Sequence, residues 1–207
     1  MPITKKSASR ILILFLLIGL SGCASVPPSK PGDLCSVFRE NDDWYAAALD
    51  SQKKWGTPVH VQMAIMHHES HFRSDARPPR SKLLGVIPWT RPSSAYGYAQ
   101  AKDGTWDWYI SKTGNSGADR DDFEDAIDFV GWYTNTTNRI NGISKWDAYN
   151  QYLAYHDGHG GYKRGTWKKK AWLIKVAKRV QQTAGRYSQQ LKRCKSSLST
   201  GSSFWPF

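Results

Sequence analysis

The segment VHVQMAIMHHES, which follows Thr57 and Pro58, constrains the fold more than any other stretch of the sequence. A threonine followed by a proline is typical of a helix start, with Thr57 as the N-cap and Pro58 at the first helical position. The resulting helix is apolar on most of its sides, and such a helix is stable only when other elements surround it. The sequence therefore predicts a central, buried helix.

Helical patterns dominate the rest of the chain as well. They occur at 41–54, 104–112, 121–136, from the capping-box-like Ser144 to 154, and 166–194. Residues 77–94 contain four prolines and no clear period, which predicts a long loop with a small hairpin around LLGVIPW. We expect an all-α or α-dominant single domain of normal size over residues 35–195.

The N-terminus has the pattern of an export signal. Lys5, Lys6 and Arg10 precede the apolar run ILILFLLIGL, so residues 1–22 are predicted to be a signal peptide. The run ends in Leu-Ser-Gly-Cys23, which resembles a bacterial lipobox, in which the cysteine is acylated. The alternative is an ordinary secretory signal with an accidental cysteine. The lipobox resemblance implies a lipoprotein in the outer membrane, facing the periplasm, with residues 23–34 as a tether.

Two cysteines remain besides Cys23. Cys35 and Cys194 stand at opposite ends of the expected domain, and an oxidising compartment favours a disulfide between them. Two free thiols are the alternative. Residues 196–207 follow as an expected flexible tail.

The chain is strongly basic. Its formal charge is +12, and removal of the three basic residues of the signal leaves +9. Such a surface attracts polyanions. Nucleic acid does not fit an exported protein, whereas an anionic cell-wall polymer or a phospholipid headgroup layer does. Much of the charge lies in WKKKAWLIKVAKR, for which a solvated helix face is the simpler explanation.

Glu69 lies between histidines at the end of the central helix, and three interpretations are open. A zinc-protease helix needs His-Glu-x-x-His. Here Glu69 follows His67 by two residues, about 200° round the helix, and would face away from a metal held by His67 and His71. A non-standard metal site with His156 and His159 as additional ligands is the alternative. We predict no metal and no cofactor.

A proton-donor role suits Glu69 better. On a helix it shares a stripe with Ile65 and Met66, and a carboxyl group that leaves solvent has a raised pKa. A general acid in glycoside cleavage must carry its proton near neutral pH. The alternative is a structural ion pair between Glu69 and Arg73.

Two further motifs resemble parts of a known family. They are AYGYAQ, which ends at Gln100, and AYHDG, which contains Tyr155. With Glu69-Ser70 in front, their order resembles Glu-Ser, Gly-Leu-Met-Gln and Ala-Tyr-Asn-Ala-Gly of the lytic transglycosylases with an SLT domain. The resemblance covers residues 58–161 and implies a lysozyme-like fold with a Pro-rich loop insertion.

The resemblance also implies roles for single residues. Glu69 matches the catalytic acid, and Ser70 matches the residue that helps to hold the helix end. Gln100 and Tyr98 match cleft residues that contact the glycan, and Gly97 begins that motif. Tyr155 matches a tyrosine whose hydroxyl reaches toward the catalytic carboxylate. His156 stands where the family has Asn, and Tyr98-Ala99 replaces the Leu-Met pair.

The implied activity is non-hydrolytic cleavage of peptidoglycan glycan strands between N-acetylmuramic acid and N-acetylglucosamine. A hydrolytic muramidase would need a second carboxylate to activate water. Asp75, Asp103 and Asp157 are the candidates, and Asp157 is the first to examine because it lies two residues after Tyr155. A non-catalytic wall-binding lipoprotein is the third possibility, and ten tryptophans in the chain suit sugar stacking.

Overall fold

A computed structural model describes residues 26–83, 87–88 and 90–198. This part of the chain is helical, which confirms the predicted α-dominant class. Its helices are α1 (Leu34–Glu40), α2 (Asp42–Trp55), α3 (Val59–Ser70), α4 (Asp103–Thr113), α5 (Phe123–Asn141), α6 (Ala148–Asp157), α7 (His159–Arg164) and α8 (Ala171–Cys194). Short 3₁₀ turns cover Thr166–Lys169 and Lys195–Ser197.

Helix α3 is the centre of the domain, as its sequence predicts. It contacts α2, α5, α6 and α8, and its residues 61–66 are all buried. The helix begins one residue later than expected, because Pro58 and not Thr57 is the N-cap. The Thr57 hydroxyl instead hydrogen-bonds Thr134 at 2.7 Å, and the Gln52 side chain accepts a bond from the Val59 N–H at 2.8 Å.

Two predicted helix starts are wrong for local reasons. Helix α6 begins at Ala148, because Asp147 and not Ser144 is its N-cap and accepts a bond from the Asn150 N–H at 3.0 Å. The last helix begins at Ala171, after a 3₁₀ turn over the residues expected to open it.

The Pro-rich segment contains the small hairpin that was expected there. Strand β1 (Lys82–Leu83) pairs antiparallel with β2 (Ile87–Pro88). Outside the pair, the Ser81 N–H donates to the Thr90 carbonyl at 2.9 Å.

The N-terminal segment before α1 is fastened to α8. The Gln190 side chain donates to Gly32 O at 3.2 Å and accepts from the Leu34 N–H at 2.9 Å, and the Tyr187 hydroxyl donates to Pro31 O. A disulfide joins Cys35 and Cys194, whose Cα atoms are 6.1 Å apart. The second half of the predicted tether thus lies against the domain.

The predicted signal peptide, Cys23 and residues 199–207 of the predicted tail lie outside the described residues. Within the described part, no helix has the length and apolar character needed to cross a bilayer.

Candidate active site

Glu69 occupies the last turn of α3, and its carboxyl group has the environment of an acid. The residue is half-buried, and its Oε1 atom is buried without a hydrogen-bond partner among the described residues. Burial raises the pKa of Glu69 from 4.5 to about 7, and a hydrogen bond from Tyr152 partly offsets this rise. The proton-donor interpretation predicted this shift.

The backbone around Glu69 is strained. Three non-glycine residues of the described part have left-handed φ values: His71 (55°), Phe72 (62°) and Gln100 (49°). Two of them follow α3 directly and turn the chain sharply away. Phe72 is fully buried and packs against Trp44 at 5.9 Å, which fixes the turn. Strain of this kind persists only where surrounding packing imposes it, and it concentrates at functional sites.

Ser70 supports the same helix end. It is 4% exposed, and its hydroxyl donates to Met66 O, 3.4 Å away and one turn back along α3. This is consistent with the holding role that the family resemblance implies.

Two cavities meet at Glu69 and Gln100. The first, which we name the inner cavity, has a volume of about 390 Å³, and the second, the outer cavity, about 420 Å³. The inner cavity is lined by Glu69, Ser93, Ala95, Gln100, Ala101, Lys102, Thr105, Phe129, Tyr133, Tyr155, His156, Asp157 and Gly158. The outer cavity is lined by Glu69, Ser70, His71, Arg73, Ala76, Arg77, Pro78, Pro79 and Gln100. A polymer that crosses Glu69 therefore finds space on both sides.

Gln100 is held rigidly in this groove. Its Nε2 donates to Ala76 O at 2.8 Å and to Gly97 O at 2.9 Å, which uses both amide N–H groups. The amide oxygen takes part in neither bond and is the atom suited to accept a hydrogen bond from a ligand.

Tyr98, which was expected to contact the glycan, and Gly97, which begins the same motif, line neither the inner nor the outer cavity. Tyr98 is 2% exposed and packs in the core, with its ring 5.5 Å from Trp44 and 5.6 Å from Phe123. Gly97 has φ 74°, and a Cβ there would lie 1.9 Å from the Arg120 carbonyl oxygen. Gly97 is thus needed for close approach of the protein's own backbone rather than of a ligand.

One tyrosine, Tyr155, was expected both to lie in the cleft and to reach the carboxyl group of Glu69, but two tyrosines of α6 do this between them. Tyr155 lines the inner cavity, but its hydroxyl donates to Ala99 O at 2.6 Å. The hydrogen bond that affects the pKa of Glu69 comes from Tyr152, one turn earlier on α6. Sequence reasoning missed Tyr152, although its spacing of three from Tyr155 places both on one helix face.

His156 and Asp157 lie in the inner cavity with different partners. The His156 ring meets Trp172 edge-on at 4.8 Å, and burial lowers the pKa of His156, which keeps it neutral near pH 7. Burial alone would raise the pKa of Asp157, but hydrogen bonds from Lys170 and Thr166 and the Lys170 charge bring it below its usual value. Sequence reasoning did not anticipate Lys170.

The remaining candidate carboxylates are paired elsewhere. Asp103 contacts Arg120 at 2.8 Å, and Asp75 contacts Arg73 at 3.1 Å. Because Arg73 forms its ion pair with Asp75, the alternative in which Arg73 pairs with Glu69 is wrong.

The histidines next to Glu69 bond to α8. His67 Nδ1 lies 2.7 Å from the Tyr187 hydroxyl, and His68 Nε2 lies 3.0 Å from the Thr183 hydroxyl. Burial first, and then nearby positive charge, lowers the pKa of both histidines to about 4. In the described ranges, no group of three or more metal-ligating side chains is arranged to hold an ion.

Comparison with known protein families identifies a family that matches this chain. A protein-family model described as "Transglycosylase SLT domain" matches residues 11–194, which include Glu69, Gln100 and the whole groove. Searches of curated proteins and of solved structures found no match.

Proposed function

This chain belongs to the transglycosylase SLT domain family, and on that premise we propose that it is a lytic transglycosylase of the bacterial cell wall. Its substrate is the glycan strand of peptidoglycan. It breaks the β-1,4 bond from N-acetylmuramic acid to N-acetylglucosamine without water and leaves 1,6-anhydro ends on the muramic acid.

Glu69 carries out both proton transfers in this proposal. Its protonated carboxyl group donates to the glycosidic oxygen, and the bond from that oxygen to C1 of the muramic acid breaks. The resulting carboxylate then accepts the proton of the C6 hydroxyl, whose oxygen attacks C1 and closes the ring. An internal nucleophile has an effective concentration on the order of 10⁵ M or more, which allows it to outcompete water.

The observation that supports this function best is the buried Oε1 of Glu69, which has no hydrogen-bond partner in the part of the chain that the structure describes, in a groove with a cavity on each side. A carboxyl group with a pKa of about 7 is a competent acid at neutral pH and a competent base after it has given up its proton.

The state of Asp157 argues against the hydrolytic alternative. A muramidase needs a second carboxylate that is free to activate water. Asp157 is the other carboxylate of the inner cavity, and it is bound to Lys170 and Thr166. A carboxylate whose pKa is lowered by a cation is a weak base, so intramolecular ring closure is the better proposal.

Wall digestion with analysis of product masses tests the reaction. Wild-type protein should release fragments with anhydro ends, 18 mass units below their hydrated counterparts, and Glu69→Gln should release none. Asp103→Asn is a matched control, because it removes an exposed carboxylate outside the lining of both cavities. Reducing ends would assign a hydrolase. Wall binding by the wild type without any release would assign a binding protein.

We also propose that residues 1–22 direct export and that Cys23 is acylated, which anchors the protein in the outer membrane facing the periplasm. The lipobox-like sequence supports this localisation. Cys23→Ala should move the protein from the membrane fraction to the soluble periplasmic fraction. Wild-type protein that is soluble would contradict the anchor.

A further inference from the structure

A groove lined by three tryptophans lies outside the cavities at Glu69. It has a volume of about 520 Å³ and is formed where the end of α2 meets α4 and α5. Its aromatic residues are Trp55, Trp108 and Trp132, and we name it the tryptophan groove. Among the described residues, it shares no lining residue with the inner or outer cavity.

Helix α5 presents a continuous stripe to this groove. Trp132, Asn135, Thr136, Arg139 and Ile140 all line it, at spacings of three, four, seven and eight from the first. This spacing places them on one helix face. Ile140 is 51% exposed, so the C-terminal end of the stripe is open to solvent.

The tryptophan rings are fixed in place before any ligand binds. Trp132 is 5% exposed and forms the floor, and Trp108 packs edge-on against it at 4.7 Å. The Trp55 Nε1 donates to Asp128 at 2.7 Å. Rigid aromatic rings provide contact area at a low cost in conformational entropy.

The rim of the groove is cationic. Lys112, one turn beyond Trp108 on α4, and Arg139 are both exposed. Neither forms an ion pair within the part of the chain that the structure describes. A complementary ligand therefore has flat apolar faces, hydrogen-bonding groups for Asn135 and Thr136, and negative charge.

We propose that the tryptophan groove is a second binding site for peptidoglycan glycan, a polymer of N-acetylated sugars that bears carboxylates. Sugar rings stack on the half-buried Trp108 and against the half-buried Trp55, and carboxylates pair with Lys112 and Arg139. The identity of the polymer rests on the proposed function, whereas the chemistry of the ligand rests on the groove itself.

The position of the groove suits binding of the strand that enters the inner cavity. Thr105 lines that cavity, and Trp108 and Lys112 follow it at spacings of three and seven on the same face of α4. A separation of three residues along a helix corresponds to a rise of about 4.5 Å. The groove therefore begins within one helical turn of the cavity.

Pelleting of the protein with purified insoluble peptidoglycan tests the site. All variants carry Glu69→Gln so that the wall is not consumed. Lys112→Glu with Arg139→Glu should raise the dissociation constant about fivefold to twentyfold, as expected for the loss of two exposed ion pairs. Trp108→Leu, which keeps an apolar side chain but removes the aromatic face, should also weaken binding, with circular dichroism to verify folding.

Two controls separate the groove from general effects. Lys175→Glu with Lys178→Glu makes the same charge change on the exposed side of α8, and Trp146→Ala removes a tryptophan that is 69% exposed elsewhere. Both should bind as the parent does. Equal losses in the two double variants would show general electrostatic attraction and would overturn the site.

Activity measurements in the wild-type background distinguish this proposal from the proposed function. The groove variants should process short soluble wall fragments within about twofold of wild type and lose rate on intact wall. Anhydro products with unchanged wall binding would leave the reaction standing and refute the groove. Reduced wall binding in the groove variants, together with no anhydro product from the wild type, would support the groove and refute the proposed reaction. A change from dimer to monomer in the groove variants would assign the groove to a second copy and overturn the proposal.

Discussion

At the scale of single residues, the pKa of Glu69 connects activity to pH. A general acid works only in its protonated form. Because the pKa of Glu69 is about 7, we expect the enzyme to be active below pH 7 and to lose activity as the pH rises above that value. We expect kcat/KM on soluble wall fragments to fall about tenfold per pH unit above pH 8. His67 and His68, whose pKa values are about 4, should not titrate in this range.

A pH–rate profile from about pH 3.5 to about pH 9 spans both the ordinary and the shifted pKa of Glu69 and measures this dependence. Its upper limb should bend near pH 7. A bend near pH 4.5, the ordinary value for a glutamate, would mean that burial does not act on Glu69 as the structure indicates.

The same carboxyl group should cost stability. Its pKa is higher in the folded than in the unfolded chain, so its favourable contribution is present below pH 4.5 and is lost as pH rises through about 7. Glu69→Gln removes this cost and should raise the free energy of unfolding at pH 8 by up to about 3 kcal/mol. Urea titration at pH 8 and at pH 4 is the measurement. A gain of the same size at pH 4 would not come from ionisation.

Gly97 gives a test of the loop that carries Gln100. An added Cβ would lie 1.9 Å from the Arg120 carbonyl oxygen, and φ is 74°. Gly97→Ala should therefore lower the free energy of unfolding by about 3 kcal/mol or more. Gly104→Ala is the matched control, because nothing lies within 4 Å of its added methyl group and it sits in α4. Gly104→Ala should leave the free energy of unfolding unchanged or raise it slightly in the same urea titration.

These residues also show what sequence could predict of the site. The role of Glu69 could be predicted from the sequence, because its spacing from Ile65 and Met66 already implied a desolvated carboxyl group. The burial of Tyr98 was not, because a tyrosine next to a glycine suits a cleft as well as a core, and only the packing of Trp44 and Phe123 decides. The pairing of Asp157 with Lys170 spans two elements, and local spacing carries no signal for such a contact.

At the scale of elements, the contact of α3 with α8 should be sensitive to acid. His67 and His68 face Tyr187, Thr183 and the cations Arg179 and Arg186 of α8, with His71 beside them. Their pKa values are about 4 when folded and 6.5 when unfolded. The stability that they provide is complete above pH 6.5 and is lost as pH falls toward 4.

We expect this loss to reach about 3 kcal/mol for the two histidines together, which is about half of what the two full pKa shifts correspond to, because both rings are partly exposed to solvent. The change to test is the double substitution His67→Gln with His68→Gln, which cannot gain a proton. Melting temperature measured from pH 7 to 4 should fall less steeply in this variant than in the wild type. Parallel curves would show that other groups control the acid response.

Elements themselves were predictable where a single helix carried its own pattern. The apolar run of α3 and the stripe of α8 gave both helices, with only their starts misplaced. Helix starts depend on which of several polar residues caps the backbone, and Ser144 and Asp147 are equivalent candidates in sequence. Asp147 is the N-cap because its side chain reaches the Asn150 N–H. Whether a side chain can reach that N–H depends on the backbone conformation, which the sequence pattern does not show.

At the scale of the whole molecule, the two ends of the described domain are joined twice. Gln190 and Tyr187 on α8 bind the segment before α1, and the disulfide between Cys35 and Cys194 closes the same contact covalently. The two cysteines are 159 residues apart in sequence. A cross-link over so long a loop removes much conformational entropy from the unfolded chain.

Replacement of both cysteines, Cys35→Ser with Cys194→Ser, should therefore lower the free energy of unfolding by about 3–5 kcal/mol. Anhydro-product formation at 25 °C should persist, because neither cysteine lines the inner or the outer cavity. Urea titration of the oxidised wild type, the reduced wild type and the double variant measures the effect. The reduced wild type and the double variant should have the same free energy of unfolding.

A loss below about 1 kcal/mol in both would mean that the hydrogen bonds of Gln190 and Tyr187 already hold the two ends of the domain together. A loss of activity in a folded variant would instead make the closure part of the site, since α8 also holds His67 and His68 beside Glu69.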